Sequence, residues 1–272
     1  MSSRPNPPAH HGLAHLPRPR SVSTFRCLSW LAAGWRLFAA RPAEWILMAL
    51  GTFVLLALST LLVPLPLVGP LVPPLLLALL MGGMLHAARL QRASQPGGVE
   101  LLFSGARLHP GNLTLVGLFF AAPLILVHLL VYLALSGGVL VSVFGISLGT
   151  TLNAAVAGLL GMLADLGIAL AVFLLLWGLM MLSLLLAPAL IMFNDIASFD
   201  AMRLSLSASL RNLATMFVLA VLLYVLFGLA LLPAGLGILI YVPVVVGTIA
   251  AAHADLFEAE AVAALPAAGE GV

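Results

Sequence analysis

Four long apolar stretches, each without Asp, Glu, Lys or Arg, organise this chain. They cover residues 45–88, 108–164, 166–194 and 212–254. A helix that crosses a bilayer needs about 20 apolar residues, so the first and last stretches can each hold two crossings. The middle two, separated only by Asp165, can hold two more. The sequence therefore predicts an all-α polytopic bundle of about six membrane-spanning helices, at residues 43–63, 71–88, 113–135, 165–187, 213–232 and 238–254.

Turn-forming segments rich in Pro, Gly or Ser separate the two helices of each predicted pair, at 63–70, 136–153 and 233–237. The second and sixth predicted spans are short and follow Pro- and Gly-rich segments. Helices interrupted at corresponding places can mark a transporter site. The simpler interpretation is a tight turn followed by a helix start, and we prefer it.

The composition identifies lipid as the solvent for most of the chain. Hydrophobic residues make up 63% of the sequence and charged residues 7%, whereas soluble domains carry about 25% charged residues. The first long apolar run starts near Ala43, so we expect an uncleaved anchor and no cleavable signal peptide. Cys27 is the sole cysteine, which excludes an intramolecular disulfide and a cysteine-based metal site.

All 11 basic residues are arginines, and they fall on one side of the predicted spans. Loops that face the cytoplasm are enriched in Arg and Lys, so we predict that both termini and the connections after spans two and four are cytoplasmic. The arginines precede span one or lie between spans two and three or four and five: Arg4, Arg18, Arg20, Arg26, Arg36, Arg41, Arg89, Arg92, Arg107, Arg203 and Arg211.

The two ends of the chain differ from the apolar middle. Residues 1–24 are rich in Pro and His and predict a disordered cytoplasmic tail. Its histidines, which include His10 and His11, leave weak metal binding as an alternative to a solvated tail. The six-helix domain is placed at 25–258, and a flexible C-terminal tail is expected at 259–272.

The three arginine-bearing connections resemble one another. In each, a small residue stands two positions before an arginine, and a predicted helical pair follows. This suggests three repeated units, each an amphipathic helix plus a helical hairpin, at 25–88, 99–187 and 198–254. The residues that carry the pattern are Gly34 with Arg36, Gly105 with Arg107, and Ser209 with Arg211, and Asn112 and Asn212 follow in two of the units.

The connection before span five shows the amphipathic pattern most clearly. Residues 199–211 predict an interfacial helix with Ser198 as its N-cap. Its large apolar residues recur at spacings of three and four: Phe199, Met202, Leu206, Leu210 and Leu213.

Trp and Arg side chains next to predicted spans suit the headgroup region of a bilayer. We place Trp30 and Trp45 in that region. The residues predicted to contact lipid headgroups are Trp35, Arg36, Arg41, Arg107 and Arg211.

Several segments resemble an uncharacterised family of bacterial polytopic inner-membrane proteins with a domain of unknown function. They are GWRLFAARPAEWIL, PLPLVGPLVPP, AMRLSLSASLRN and PAGLGILIYVPVVVG. The resemblance spans roughly residues 25–258 and rests on spaced Gly, Pro, Arg and Asn within apolar runs. It implies a multi-pass protein of the inner membrane. It implies no activity, so it brings no catalytic residues.

Polar groups inside the hydrocarbon are costly and therefore mark candidate sites. His128 in span three and Asp165 at the start of span four are predicted at similar depth, where the pair could relay protons or bind a cation. We prefer the alternative, in which Asp165 starts its helix at the interface and His128 bonds a backbone carbonyl. Asn194, Asp195 and Asp200 would suit a hard cation, but cap and turn roles explain them.

No catalytic motif, nucleotide loop or cofactor site is recognisable, and no basic face with stacking residues indicates nucleic acid. We therefore expect a protein that is not an enzyme and that binds no cofactor or metal. A small-solute transporter is the first hypothesis, although scarce intramembrane polar groups argue against ion-coupled pumping. The alternative is a non-transporting scaffold or assembly partner acting through amphipathic cytoplasmic helices. The expected partner is the bilayer, and a protein partner or homo-oligomer stays open.

Overall fold

A computed structural model of the protein describes residues 17–65, 69–122, 125 and 152–258. Within these ranges the regular structure is helical and contains no strand. Five described helices are long and apolar enough to cross a membrane. The predicted fold class, an all-α polytopic bundle, is thereby confirmed, and the chain is an integral membrane protein. The third predicted span, 113–135, is described only in its first part.

The helices are numbered here in chain order. They are α1 Arg26–Ala40, α2 Pro42–Thr60, α3 Val72–Arg92, α4 Ser104–Leu108, α5 Pro110–Ala122, α6 Leu152–Leu185, α7 Ala187–Asn194, α8 Ser198–Arg211, α9 Leu213–Leu231 and α10 Ile238–His253. Two 3-10 turns, Gly69–Leu71 and Val99–Phe103, precede α3 and α4, and a π-turn, Ala254–Glu258, extends α10.

Short helices precede α2, α5 and α9, as the sequence predicts. Each ends at a residue with a similar backbone conformation: φ −145° and ψ 60° at Arg41, −134° and 53° at His109, and −118° and 35° at Asn212. These angles lie outside the helical region. Each of the three residues therefore redirects the chain from a short pre-helix into an apolar helix.

Helices α3 and α10 lie further inside the bundle than α2 and α9, which precede them in their hairpins: 44% and 50% of their most apolar stretches are buried, against 28% and 17%. Helices α3, α7 and α10 contact one another, and each pre-helix packs on a second helix from a different hairpin. Helix α1 packs on α10, α4 on α3, and α8 on α6. The three-unit repeat itself stays a prediction.

Small residues make these pre-helix contacts close. Gly34 of α1 lies against the α10 backbone at Val244, and Gly105 of α4 lies against the α3 backbone at Leu79. In α8, the Ser209 hydroxyl donates a hydrogen bond to the Leu182 carbonyl of α6 at 3.2 Å. Close backbone approach through small residues is the usual way in which helices associate in lipid. The small residue two positions before each arginine is therefore a helix-contact residue.

A proline and a serine shape the break between α6 and α7. Pro188 has no N–H, and its ring collides with the carbonyl four residues earlier, so the helix is interrupted at Leu186. The Ser205 hydroxyl accepts a hydrogen bond from the Leu186 N–H at 3.1 Å and donates one to the Leu182 carbonyl at 2.8 Å. These two backbone groups would bond to each other in a continuous helix. Ser205 of α8 therefore replaces the lost helical hydrogen bond.

Helix α8 is confirmed, but its buried face is not the face of large apolar residues. Phe199 and Leu210 are exposed, and Leu206 is half-buried. Ser198 is not the N-cap, because the helix is capped at Ala197 and the Ser198 hydroxyl bonds to Asn112 instead. The face that packs on the bundle consists mainly of small residues: Ser198, Ala201, Met202, Ser205, Ala208 and Ser209.

Helix α6 begins earlier than predicted. We expected the fourth span to start at Asp165, but α6 starts at Leu152, and its backbone is helical through position 165. The intervening residues, 152–164, are mostly Ala and Leu, which are strong helix formers, and include no proline. The expectation that Asp165 opens a helix was therefore wrong.

The starts of α3 and α10 agree with the simpler interpretation of the Pro-rich segments. Helix α3 has prolines in its first turn, where a missing N–H costs nothing. Helix α10 is continuous from Ile238 to His253 and carries Pro243 inside it. Neither helix is interrupted within its described range.

The last part of the predicted N-terminal tail is ordered against the bundle. In residues 17–24, the Arg20 N–H donates to the Leu256 carbonyl at 3.1 Å, and the Val22 N–H donates to the Asn212 side chain at 2.8 Å. Residues 17–24 of the predicted tail thus contact the bundle, while residues 1–16 and the predicted C-terminal tail, 259–272, lie outside the described residues.

Candidate functional site at the arginine-rich end

The described arginines gather at one end of the bundle, which we call the arginine-rich end. This end comprises the start of α2, the ends of α3, α7 and α10, and the pre-helices α1, α4 and α8. Hydrogen bonds join these parts: the Trp45 indole donates to Gln91 at 2.8 Å, and the Arg89 guanidinium donates to the Met192 carbonyl at 3.4 Å. The polar chemistry of the described chain is concentrated here.

Asp255, in the π-turn after α10, is the centre of the first polar cluster. Its carboxylate accepts hydrogen bonds from the guanidinium groups of Arg20 and Arg26, the latter at 2.6 Å. It also accepts one from the Trp30 indole at 2.8 Å. These bonds to the carboxylate raise the pKa of Arg26 above its usual value. One acid thus ties the N-terminal segment and α1 to the end of α10.

Two asparagines, each just after a pre-helix, bind the segment at the start of another pre-helix. The Asn212 amide donates to the Arg20 carbonyl at 3.0 Å, and its oxygen accepts from the Val22 N–H. The Asn112 side-chain oxygen accepts from the Ser198 hydroxyl at 2.9 Å. Asn212 and Ser198 are buried, so these bonds satisfy polar groups that water does not reach.

A buried histidine, His253, lies where the ends of α7 and α10 meet. Its Nε2 lies 2.6 Å from the Asn194 side-chain oxygen, and its ring packs edge-on against Phe193. Its Nδ1 lies 3.4 Å from a Glu258 carboxylate oxygen, within ion-pair range but without hydrogen-bond geometry. The Arg89 guanidinium lies over the Phe193 ring at 5.8 Å. This cluster holds the inner helices together.

The residues considered for a hard-cation site do not come together. Asn194 bonds His253, while the Asp195 side chain is 85% exposed and lies 3.4 Å from His109. Asp200 lies in the first turn of α8, where a carboxylate suits the helix dipole. Among the described residues, no group of three or more His, Cys, Asp or Glu side chains is placed to hold a metal ion.

The predicted headgroup residues lie at the arginine-rich end. Trp35 is 53% exposed, and the Arg41 guanidinium lies 3.5 Å from Glu44. Arg36, Arg107 and Arg211 are exposed. Their contacts with lipid stay a prediction.

Trp30 and Trp45 do not lie at the lipid surface. Each is 2% exposed, and its indole N–H donates to Asp255 or Gln91 inside the protein. A buried Trp needs a partner for its N–H, and these two residues have one. These two side chains therefore contact protein, and their position at headgroup depth stays a prediction.

The predicted intramembrane pair is not resolved as a pair. His128 lies outside the described residues, and at Asp165 only the helical backbone is described. Their contact stays a prediction.

An open groove of about 730 Å³ lies between α1, the end of α3 and the end of α10. Four arginines and a single carboxylate line it, together with small and polar residues. The lining residues are Arg20, Arg26, Ser29, Trp30, Ala33, Arg36, Leu37, Gln91, Arg92, Gly247, Ala251, Ala254 and Asp255.

Sequence reasoning found the arginines of this end but not its organising residues. Asp255 is an isolated acid just after the last predicted span, and a 20-residue apolar window cannot show that two distant arginines approach it. Asn112 and Asn212 were noticed through their recurrence. That recurrence was the available signal for their role.

A comparison of the chain with protein-family models, curated proteins and solved structures found no match.

Proposed function

We propose that this protein is a non-enzymatic, non-transporting membrane scaffold that meets its partner at the arginine-rich end. The observation that carries the proposal is the packing between the inner helices. Large apolar side chains fill this space within residues 17–65, 69–122 and 170–258. The fully buried ones include Leu80, Met84, Leu190 and Ile191.

Polar groups inside the described spans support a solid bundle. The Thr52 and Thr248 hydroxyls are buried, and each donates to a carbonyl of its own helix, at 2.9 and 2.7 Å. A hydroxyl that donates in this way has no proton left to offer a passing solute. A transport path would need polar groups facing a cavity inside the spans, and neither hydroxyl lines the groove described above, which Gln91 and Arg92 reach only at the arginine-rich end.

The exposed side of the pre-helices is the surface offered to a partner. Trp35 on α1, Arg107 on α4, and Arg203 and Arg211 on α8 are exposed. Because this surface is basic and Trp and Arg are common anchors in interfaces, it suits an acidic protein surface. The fixed packing of each pre-helix on the bundle presents these side chains in a defined arrangement.

We further propose that the arginine-rich end faces the cytoplasm in the inner membrane of a bacterium. The basis is the positive-inside rule, since the described arginines share one end, and the resemblance to an uncharacterised inner-membrane family. Reporter fusions after Gln95 and Ser198 should report the cytoplasm, and a fusion after Ala234 the opposite side. A periplasmic signal at Gln95 would contradict this orientation.

Transport by a small-solute permease remains the alternative. It rests on His128 and Asp165 and on no described contact. A cysteine scan in a Cys27→Ala background separates the two functions. In inverted membrane vesicles, whose cytoplasmic face is exposed, Leu80→Cys and Met84→Cys should not react with a membrane-impermeant thiol reagent, while Gln95→Cys should. Reaction at both inner positions would establish an aqueous path and overturn the solid-bundle argument.

Site-specific photo-crosslinking in cells tests the scaffold directly. A photoreactive residue at Trp35, Arg107 or Arg211 should give one discrete protein adduct of the same mass at all three positions. The matched control is Tyr224 on α9, which is 78% exposed and lies within a span. If the three pre-helix positions give adducts with lipid alone, the scaffold proposal is contradicted.

A further inference from the structure

The groove between α1, α3 and α10 has more positive charge than its own protein partners neutralise. We propose that it binds a phosphate-bearing anion with two or more negative charges. This inference does not depend on the scaffold proposal, because the groove has the same lining whether or not a solute crosses the bundle.

The charge balance of the groove favours an anion. Arg20, Arg26, Arg36 and Arg92 line it, and Asp255 is the only carboxylate among its lining residues. Asp255 is already bonded to Arg20, Arg26 and Trp30. It therefore fixes two guanidinium groups in place. Glu258, close enough to Arg92 for their charges to attract, is the other acid near the groove, so the four arginines of the groove exceed these two acids by two positive charges.

Arg36 and Arg92 provide the free donors. Within residues 17–65, 69–122 and 152–258, Arg36 makes no hydrogen bond or ion pair, and Arg92 uses one nitrogen to donate to the Ala250 carbonyl at 3.0 Å. A guanidinium carries five N–H donors in a planar fork. This fork matches phosphate oxygens in a bidentate arrangement. Both side chains therefore retain the donors that a phosphate group requires.

Small residues on α10 and α1 create the space. Gly247, Ala251 and Ala254 recur at spacings of four and three along the end of α10, and Ala33 faces the same groove from α1. Larger side chains at these positions would fill it. Ligand sites typically have volumes of about 300–1,000 Å³, and the 730 Å³ of this groove exceeds the space that a single small ion needs.

The location of the groove indicates where the anion comes from. The groove lies at the ends of α3 and α10, at the level at which a span meets lipid headgroups, and basic pockets between spans bind anionic headgroups there. A soluble phosphate compound has the same chemistry and could enter from the aqueous side. The shared ligand class is a diphosphate-type anion, and the experiment has to separate the two sources.

Binding is measured with the full-length protein in nanodiscs made of zwitterionic phosphatidylcholine. One arm adds the two-phosphate lipid diphosphatidylglycerol to the disc, and the other adds inorganic pyrophosphate to the buffer. Native mass spectrometry counts bound lipid, and calorimetry follows pyrophosphate. The groove variant is Arg36→Gln with Arg92→Gln, and the matched control is Arg107→Gln with Arg203→Gln, which removes two exposed charges of the same end outside the groove.

We expect saturable binding that the groove variant weakens about ten- to a hundredfold, with little change in the control. Binding in the lipid arm alone assigns the site to a headgroup, and binding of pyrophosphate assigns it to a soluble anion. Equal weakening in both variants would reveal diffuse surface charge and overturn the proposal, as would a lack of saturable binding in both arms. If the double variant is unstable, Arg36→Gln alone serves, because Arg36 bonds no described residue.

Discussion

Helices α9 and α10 are neighbours in one hairpin, yet they occupy different environments. Half of the most apolar stretch of α10 is buried in the protein, against 17% of that of α9, although α9 is the more hydrophobic of the two. In water the more hydrophobic helix would be expected inside. In lipid, burial offers apolar side chains little gain, so small residues and polar contacts decide which helix is central.

The residues of the two helices illustrate this rule. Helix α9 exposes Phe217 and Tyr224 on its outer surface. Helix α10 brings Gly247 against the backbone of α1 at Gly34, and His253 against Asn194. The inner position of α10 thus follows from residues that a hydropathy profile scores as weak.

The largest expected effect comes from the same substitution made in both helices. In Gly247→Ala, the new Cβ would lie 2.7 Å from the Gly34 Cα, which is a backbone atom that cannot rotate away. Overpacking of this kind costs about 1–3 kcal/mol. In Gly228→Ala on α9, the Cβ would meet no atom within 4 Å. Thermal unfolding in detergent should show a clear loss for the first variant and none for the second, and equal Tm values would break the comparison.

A somewhat smaller effect is expected at the break between α6 and α7. Ser205→Ala removes the acceptor of the buried Leu186 N–H, while Ser209 still donates to the Leu182 carbonyl. An unsatisfied buried donor costs about 1–3 kcal/mol. The matched control is Ser207→Ala, because Ser207 is exposed on the same helix. Comparable unfolding temperatures for the two variants would show that Ser205 does not support the break.

Asp255→Asn should lower stability by a smaller amount. The Asn oxygen can still accept the Trp30 N–H, so the variant loses only the strengthening of that bond by the negative charge, about 1 kcal/mol, and the partly exposed arginines add little because water screens them. Asp195→Asn is the control, since its side chain is 85% exposed. The stability difference between the variants should shrink at high salt only by the arginine contribution. If the loss disappears completely in high salt, the charge of Asp255 does not strengthen the indole bond.

The smallest expected signal is the slow reaction of Cys27. This thiol is fully buried, and burial raises its pKa. The thiolate is the reactive form, so the raised pKa keeps Cys27 unreactive until a higher pH than an ordinary cysteine requires. N-ethylmaleimide should label native protein much more slowly at Cys27 than at a cysteine introduced by Ser29→Cys in a Cys27→Ala background. Similar rates between pH 7 and 9 would contradict this burial.

The sequence was sufficient for the class of fold and for the ends of most spans. Charge-free stretches of known minimum length locate α2, α3, α9 and α10, because the bilayer thickness sets that length. The start of α6 was missed, since an Ala- and Leu-rich segment shows no boundary and Asp165 was given too much weight.

Contacts between helices could be anticipated only in part. The recurrence of a small residue before an arginine identified Gly34, Gly105 and Ser209, although their partners could not be deduced from it. The serine face of α8 was missed because apolar periodicity ranks Phe199 and Leu210 above Ser205. The Asp255 cluster depends on residues more than 200 positions apart in the chain, and no local pattern encodes such a pairing.

The contacts of α1 and Arg20 with the end of α10 also constrain the order in which the protein folds during synthesis. Helix α1 leaves the ribosome early. The surface of α10 on which it packs, and the hydrogen bonds of Arg20 to Asp255 and Leu256, become available only after the last span has been synthesised. Until then the small-residue face of α1 has no helix to pack against. A chain that lacks α10 would therefore leave α1 without the helix on which it packs.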